Sequence, residues 1–221
     1  MKPRERIARR AALELIDGAI TNLGLGMPLD VLNYLPKGMN VILHSENGAL
    51  FMGPPPRFGE QNSDLANAGA FPITLLPGAS TFDIATSFCI IRGGHIQVSV
   101  LGALEVDQTG AIANWGMEVK EGKYTPGIGG AMDLVTGSSN LVVLIEHNSK
   151  NGESKIVKKC TMPLTGTGVR LIISEKAVFE VTPKWLLLKE IAPDISVEEL
   201  RKVTDADFIV TDDDLIEYRL A

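Results

Sequence analysis

Residues 19–48 read AITNLGLGMPLDVLNYLPKGMNVILHSENG, and this stretch decides the fold class. Ala19 to Leu23 is a short apolar run of the kind a buried strand carries, and it empties into Gly24-Leu25-Gly26-Met27-Pro28. Proline suits the first turn of a helix, where its missing N–H would have had no partner. Leu29 to Leu35 is therefore expected to be helical. Asn40 to Ser45 follows as a second strand, with Val41, Ile42 and Leu43 in an unbroken apolar run. Strand, glycine turn, helix, strand is the unit from which parallel sheets are built.

Upstream, Arg4 to Ile16 places apolar residues at 7, 8, 11, 12, 15 and 16, the rhythm of an amphipathic helix, with Gly18 positioned to end it. Downstream, residues 53–64 (GPPPRFGEQNSD) form a surface loop, and Ile73 to Leu76 reads as a strand. Ser80 is expected to cap a helix over Thr81 to Ile91, and Ile96 to Leu101 is the next strand. The pattern from Leu104 to Asp133 is irregular and glycine-studded. Strands resume at Leu141–Ile145, Val169–Ser174, Ala177–Val181 and Leu186–Ile191, and Ser196-Val197-Glu198-Glu199 is a capping box opening a helix to about Val203. With no repeat and no linker, residues 1–221 are expected to form one α/β domain, a largely parallel sheet flanked by helices.

The net charge of −6 repels phosphate backbones, which argues against nucleic-acid binding. No apolar run approaches the ~18 residues of a membrane span, so a soluble protein is expected. The basic and apolar N-terminus resembles a transit peptide, but Glu5 and Glu14 break that pattern, and a structural first helix is the better reading. Two cysteines make no disulfide scaffold, and a reducing cytoplasm is expected. Cys89, in Phe88-Cys89-Ile90-Ile91, reads as a small core residue; Cys160 follows Lys158-Lys159, whose charges can lower a thiol pKa.

Glu46 stands at the end of the second strand, where open parallel sheets gather ligands. Ser45-Glu46-Asn47-Gly48 also reads as a turn with a solvated acid, and spacing alone leaves both readings open. Gly48 lacks a Cβ, which permits close approach of a substrate to the backbone. Gly24-x-Gly26 is half of a dinucleotide fingerprint, its third glycine replaced by Leu29. The N–H groups of Gly127-Ile128-Gly129-Gly130 can form an oxyanion site or simply a turn. His44, His95 and His147 lack metal-motif spacing, so no metal site is expected. His44 shares a strand face with Glu46, as a base or as a structural residue. Trp115 reads as a packing residue, and Lys155, Lys158 and Lys159 as a solvated basic face, with phosphate contact the alternative for the lysines. There is no Gly-x-Ser-x-Gly elbow and no Walker A sequence.

Taken together the motifs resemble the β (B-type) subunit of the family I CoA-transferases, the succinyl-CoA:3-oxoacid, acetate/acetoacetate and 3-oxoadipate enzymes. The matching segments are Arg6–Leu15 (RIARRAALEL), Asn22–Pro28 (NLGLGMP), His44–Gly48 (HSENG), Leu75–Ala79 (LLPGA) and Ile91–His95 (IRGGH). They continue, in family order, with Leu101–Ala103 (LGA), Ala113–Trp115 (ANW), Gly129–Val135 (GGAMDLV) and Cys160–Gly166 (CTMPLTG). The resemblance implies a CoA-transferase fold of the NagB/RpiA-like kind and a ping-pong reaction through a glutamyl-CoA thioester on Glu46. It implies that Asn22, Gly129 and Gly130 serve the substrate and oxyanion, the Gly130 N–H as donor, and that Gly24, Gly26, Asn47 and Gly48 line the CoA and substrate loop.

It further implies CoA as acyl-CoA substrate with no permanently bound cofactor, and a CoA-transferase α (A-type) subunit as partner, without which the chain is inactive or nearly so. The implied reaction moves CoA from succinyl-CoA or acetyl-CoA to a short-chain 3-oxoacid such as acetoacetate. A 3-oxoadipate or acetate/butyrate transferase, or a non-catalytic acyl-CoA-binding homologue, is the alternative. Two departures bear on the acid: residues 116–126 lack the short Pro-Gly-Lys stretch of the 3-oxoacid branch, and Ala70 stands where many members carry lysine.

Overall fold

A computed structural model describes residues 1–125, 127–211 and 215–221. Its central sheet has eleven strands. The first five are β1 (Ile20–Leu23), β2 (Ile42–Ser45), β3 (Ala49–Met52), β4 (Leu75–Thr81) and β5 (Val98–Gly102). The middle is parallel: Val169–Ile173, Leu141–Leu144, β5, β1 and β2 lie side by side in that order. Both flanks turn antiparallel, through β3 and β4 on one side and through Ala177–Val181 and Leu186–Ile191 on the other. Phe208–Ile209 and Ile216–Glu217 then pair parallel with Leu186–Ile191. The fold is thus α/β with a mostly parallel centre, and the strand-rich last third supplies one antiparallel flank.

The continuous apolar runs follow from burial on both faces, since side chains alternate along a strand. Leu141 and Val143 join Ile91, Leu134 and Leu200 in one core, beneath α3 (Ile84–Arg92), α4 (Ala131–Gly137) and α5 (Val197–Val203). Val142 and Leu144 join Ile7, Ala8, Ala11, Ala12 and Leu15 in the other, which α1 (Pro3–Ala12) covers. Arg10 lies within that buried helix face and is only 2% exposed. Its guanidinium donates to Glu190 at 2.6 and 2.8 Å and to Glu14 at 2.8 Å, and Arg219 donates to Glu190 from the C-terminal segment.

Several expectations shift. The helix expected over Leu29–Leu35 is one α-turn, α2 (Met27–Asp30), continued by a 3-10 turn over Val31–Tyr34. Ser80 caps nothing, because β4 runs to Thr81; Asp83 caps α3, its side chain accepting from the Thr86 amide at 2.9 Å. Ser87 and Ile91, four residues apart, form the buried face of α3, so Cys89 points outward and is exposed rather than a core residue. The irregular stretch holds four short strands: Glu105–Asp107 and Ala111–Ala113 in a four-stranded sheet, and Met117–Lys120 with Lys123–Thr125 as a two-stranded ribbon. The capping box at Ser196 and Glu199 forms as expected. No helix among the described residues is long and apolar enough to cross a membrane.

Candidate active site

The carboxyl ends of β1, β2 and β5 meet at one edge of the parallel centre. Asn22 of β1 is in register with His44 of β2, and Glu46 opens the turn that joins β2 to β3. That turn is closed by the Gly48 amide donating to the Ser45 carbonyl at 2.9 Å. Gly48 has φ +122°, and a Cβ there would stand 2.0 Å from the Phe82 carbonyl oxygen. The glycine is thus demanded by the crossing Phe82 segment, which occupies the space the sequence suggested for substrate.

The turn is strapped to the loop before β4. The Ser45 hydroxyl donates to Asn47 Oδ1 at 2.7 Å and accepts from the Ala68 amide at 3.1 Å, while Asn47 Nδ2 donates to the Ala66 carbonyl at 2.7 Å. Both ends of the Asn47 amide are therefore committed within the chain.

Glu46 projects toward the glycine cluster. The Gly130 N–H donates to its Oε1 at 3.3 Å, from the capping position of α4. Gly129, just before it, takes φ +52°. Burial raises the Glu46 pKa above the ordinary carboxylate value, and the Gly130 hydrogen bond pulls the other way. A Cβ on Gly130 would lie 3.1 Å from Glu46 Cδ, so the carboxylate and this backbone are in direct contact.

His44 is not free to act on Glu46. Its carbonyl accepts from Asn22 Nδ2 at 3.3 Å, which fixes that amide as donor, and the same nitrogen lies 3.1 Å from His44 Nδ1. Nδ1 is then the acceptor, and the ring proton sits on Nε2, 3.1 Å from the Ser87 hydroxyl. Burial lowers the His44 pKa to about 4, consistent with a neutral ring. The ring orients Asn22 and is structural.

A cavity of about 590 Å³ opens over these groups, bordered by Asn22, Gly24, His44, Glu46, Asn67, Asn114, Gly127 and Gly129. Gly24 packs the end of β1 onto β5, its amide donating to Val100 O at 2.8 Å. Gly26, with φ +87°, shapes the entry to α2 and does not border the cavity, nor do Asn47 and Gly48. Asn67 and Asn114 were not singled out from sequence. Asn67-Ala68-Gly69 did carry a signal, an Asx turn in which Asn67 Oδ1 accepts from the Gly69 and Phe71 amides at 2.9 and 3.1 Å. The lysine cluster lies elsewhere, Lys158 pairing with Asp207 at 3.2 Å. Cys160 is the reverse of an activated thiol: burial, with Asp107 and Glu105 nearby, pushes its pKa up to about 12. Trp115 packs on the adjoining loop, its indole N–H donating to Leu164 O at 3.3 Å. The described residues contain no group of three or more metal-ligating side chains.

A parallel α/β sheet with one half-buried acid at its strand ends is a setting for covalent group transfer. The family model of the coenzyme A transferases matches residues 4–202, and the chain belongs to that family. It is 51% identical over 215 residues to the beta subunit of the acetate CoA-transferase of Haemophilus influenzae, covering 96% of this chain and 94% of that one. It is 46% identical over 208 residues to the B-type subunit of the succinyl-CoA:3-ketoacid coenzyme A transferase of Helicobacter pylori, covering 94% and 99%. Among solved structures, an acyl-CoA transferase of E. coli O157:H7 in a thioester complex with CoA superposes with a TM-score of 0.74 at 22% identity. The match covers 97% of this chain and 43% of that longer one, and it shows the shared fold. Within the family, the chain is a CoA-transferase β-type subunit.

Proposed function

We propose that this chain transfers CoA between an acyl-CoA and a short-chain carboxylic acid, such as the 3-oxoacid acetoacetate, through Glu46. The observation that carries the reading is the Glu46 carboxylate, half-buried at the cavity and held by the Gly130 N–H at 3.3 Å. A Glu46 oxygen attacks the thioester carbonyl, the C–S bond breaks, and CoA thiolate leaves behind an acyl-glutamyl anhydride. The thiolate then attacks Cδ of Glu46, the anhydride C–O bond breaks, and the first acid departs as its carboxylate. The acceptor carboxylate attacks the resulting glutamyl-CoA thioester, and the same two steps run in reverse. No water or proton is consumed, so the protein's work is placement and oxyanion stabilisation.

In the thiolate step the negative charge develops on the Glu46 oxygen itself. The Gly130 amide, already beside that oxygen, is the donor for it, and Gly129 with φ +52° aims it. Partial desolvation raises the Glu46 pKa and makes the ionised carboxylate a better nucleophile. Asn22 and Gly24 border the substrate space, Asn22 offering Oδ1 because its Nδ2 is spent on His44.

Asn47 and Gly48 act by shaping the turn, and Gly26 by shaping the approach to α2. CoA is a substrate here and not a resident cofactor. The acyl-CoA is held between this chain, in the cytoplasm, and an α-type partner of the same family. The relatives' subunit names support that pairing.

The test is to incubate the reconstituted two-subunit complex with acyl-CoA and look for a CoA thioester on Glu46 by mass spectrometry and borohydride reduction. An adduct that disappears in Glu46→Ala, together with transfer activity, supports the reading. Undiminished transfer by Glu46→Ala overturns it.

A further inference from the structure

The segment Ile91-Arg92-Gly93-Gly94-His95 matches the family, yet none of it borders the cavity. Its first effect is to end α3. Gly94 takes φ +74°; its amide donates to the Ile91 carbonyl at 3.0 Å, and the His95 amide donates to the Ile90 carbonyl at 3.2 Å. Such paired bonds close a helix whose exit is a left-handed glycine. Arg92 is thereby the last residue of α3, on the same face as Phe88 one turn earlier. That face meets α4. A Cβ on Gly130 would lie 3.1 Å from Phe88 Cζ, and one on Gly137 would lie 2.2 Å from the Ile91 carbonyl oxygen, so α3 touches both ends of α4.

Between these two contacts Arg92 Nε donates to Asp133 Oδ1 at 2.5 Å, and the guanidinium carbon stands 5.8 Å from the centroid of the Phe88 ring. Asp133 lies in the first turn of α4, three residues past Gly130. Arg92 therefore grips α4 one turn from the amide that donates to Glu46, and it lies over the ring that packs on Gly130. Stability alone explains this poorly. The Arg92 side chain is 66% exposed, and an ion pair so open to water adds little to folding. A tether that sets where a seven-residue helix begins acts on placement instead, to which covalent chemistry is far more sensitive. Resting on the CoA-transfer reading above, we propose that Arg92 and Asp133 are positioning residues. Their ion pair, seated on Phe88, fixes the start of α4 and so aims the Gly130 N–H at Glu46.

The experiment compares Arg92→Ala, Asp133→Asn, the double variant and Arg92→Lys in the complete two-subunit complex, with acetyl-CoA or succinyl-CoA as donor. It measures kcat, KM, the single-turnover rate of thioester formation on Glu46, and thermal unfolding. In Arg92→Ala and in Asp133→Asn, kcat and the thioester rate should each fall about tenfold, with KM and Tm little changed. The double variant should lose no more than either single one, because the two residues act as a unit. Arg92→Lys, which keeps a cation for Asp133, should recover most of the loss. A wild-type thioester rate in both single variants overturns the proposal. So does a loss confined to KM, which would mean that Arg92 meets the acyl-CoA itself, or a loss matched by a fall in Tm, which would make the pair structural. Failure of the underlying reading looks different: the wild-type complex then forms no thioester on Glu46, and the proposal falls with it.

Discussion

Glu46 Oε1 and the backbone nitrogen of Gly130 lie 3.3 Å apart, joined across 84 residues of sequence. The contact links the β2–β3 turn to the start of α4, and it couples the acid to the backbone that would stabilise its own tetrahedral state. The arrangement has a thermodynamic cost. Burial raises the Glu46 pKa, so the ionised form is less stable folded than unfolded. Between the unfolded pKa and the raised folded one the native state binds more protons, so stability falls as pH rises through that window.

Glu46→Gln should therefore raise stability at neutral pH, and the gain should vanish in acid below the unfolded carboxylate pKa. Urea unfolding of wild type and variant across pH checks this. Transfer activity should show the opposite limb, falling as Glu46 protonates in acid. A neutral-pH stability unchanged by Glu46→Gln would contradict a desolvated carboxylate.

Gly48→Ala is expected to be severe although the residue touches no substrate space. A Cβ would meet the Phe82 carbonyl oxygen at 2.0 Å, and φ of +122° is strained for alanine. The turn must move, and Glu46 with it. Stability should drop by about 2–4 kcal/mol, and transfer should fall even where the variant folds. Thermal unfolding with single-turnover thioester formation separates the two effects.

Sequence and structure agree where burial dictates pattern. The strands Ala177–Val181 and Leu186–Ile191 fall where their apolar patterns placed them, and the parallel centre follows from runs such as Leu141–Leu144 that have a core on each face. Pattern failed where a local signal was ambiguous. Ser80 is a plausible cap, but β4 pairs with β3 through Ser80 and Thr81, and that pairing carried the strand past it. At the site, Glu46 could be singled out because a strand visibly ended there. Asn67 and Asn114 could not, because only the folded chain brings them to the border of the cavity. Asn114, for one, is held there by the hydroxyl of Thr165, 51 residues away.

The two buried histidines predict acid sensitivity. His44 and His147 are each 2% exposed or less, and burial lowers their pKa values to about 4 and about 3. His147 is held between the Ser174 and Thr204 hydroxyls at 2.9 and 2.8 Å. A depressed histidine pKa means the unfolded state binds more protons below its ordinary value of 6.5. Stability is full above that value and is lost as pH falls toward the folded pKa, on the order of 3 kcal/mol for His44 alone. Chemical unfolding between pH 7 and 4 should show a steep decline, shallower in His147→Gln. A flat profile would mean the rings titrate in the fold as they do in the unfolded chain.

Gly130→Ala tests the opening contact directly. At φ −85° the backbone accepts alanine without strain, so the fold should survive. The new methyl, however, would sit 3.1 Å from Glu46 Cδ and 3.1 Å from Phe88 Cζ, closer than ordinary packing. The carboxylate has to shift by a few tenths of an ångström or rotate off the Gly130 N–H. Because placement is the main thing this chemistry asks of the protein, transfer should fall by about 100-fold, with unfolding behaviour little changed. The loss should appear in kcat more than in KM, since the contact matters most when charge develops on Glu46. Wild-type kcat in a folded Gly130→Ala complex would show that the glycine is there for α4 and not for the acid.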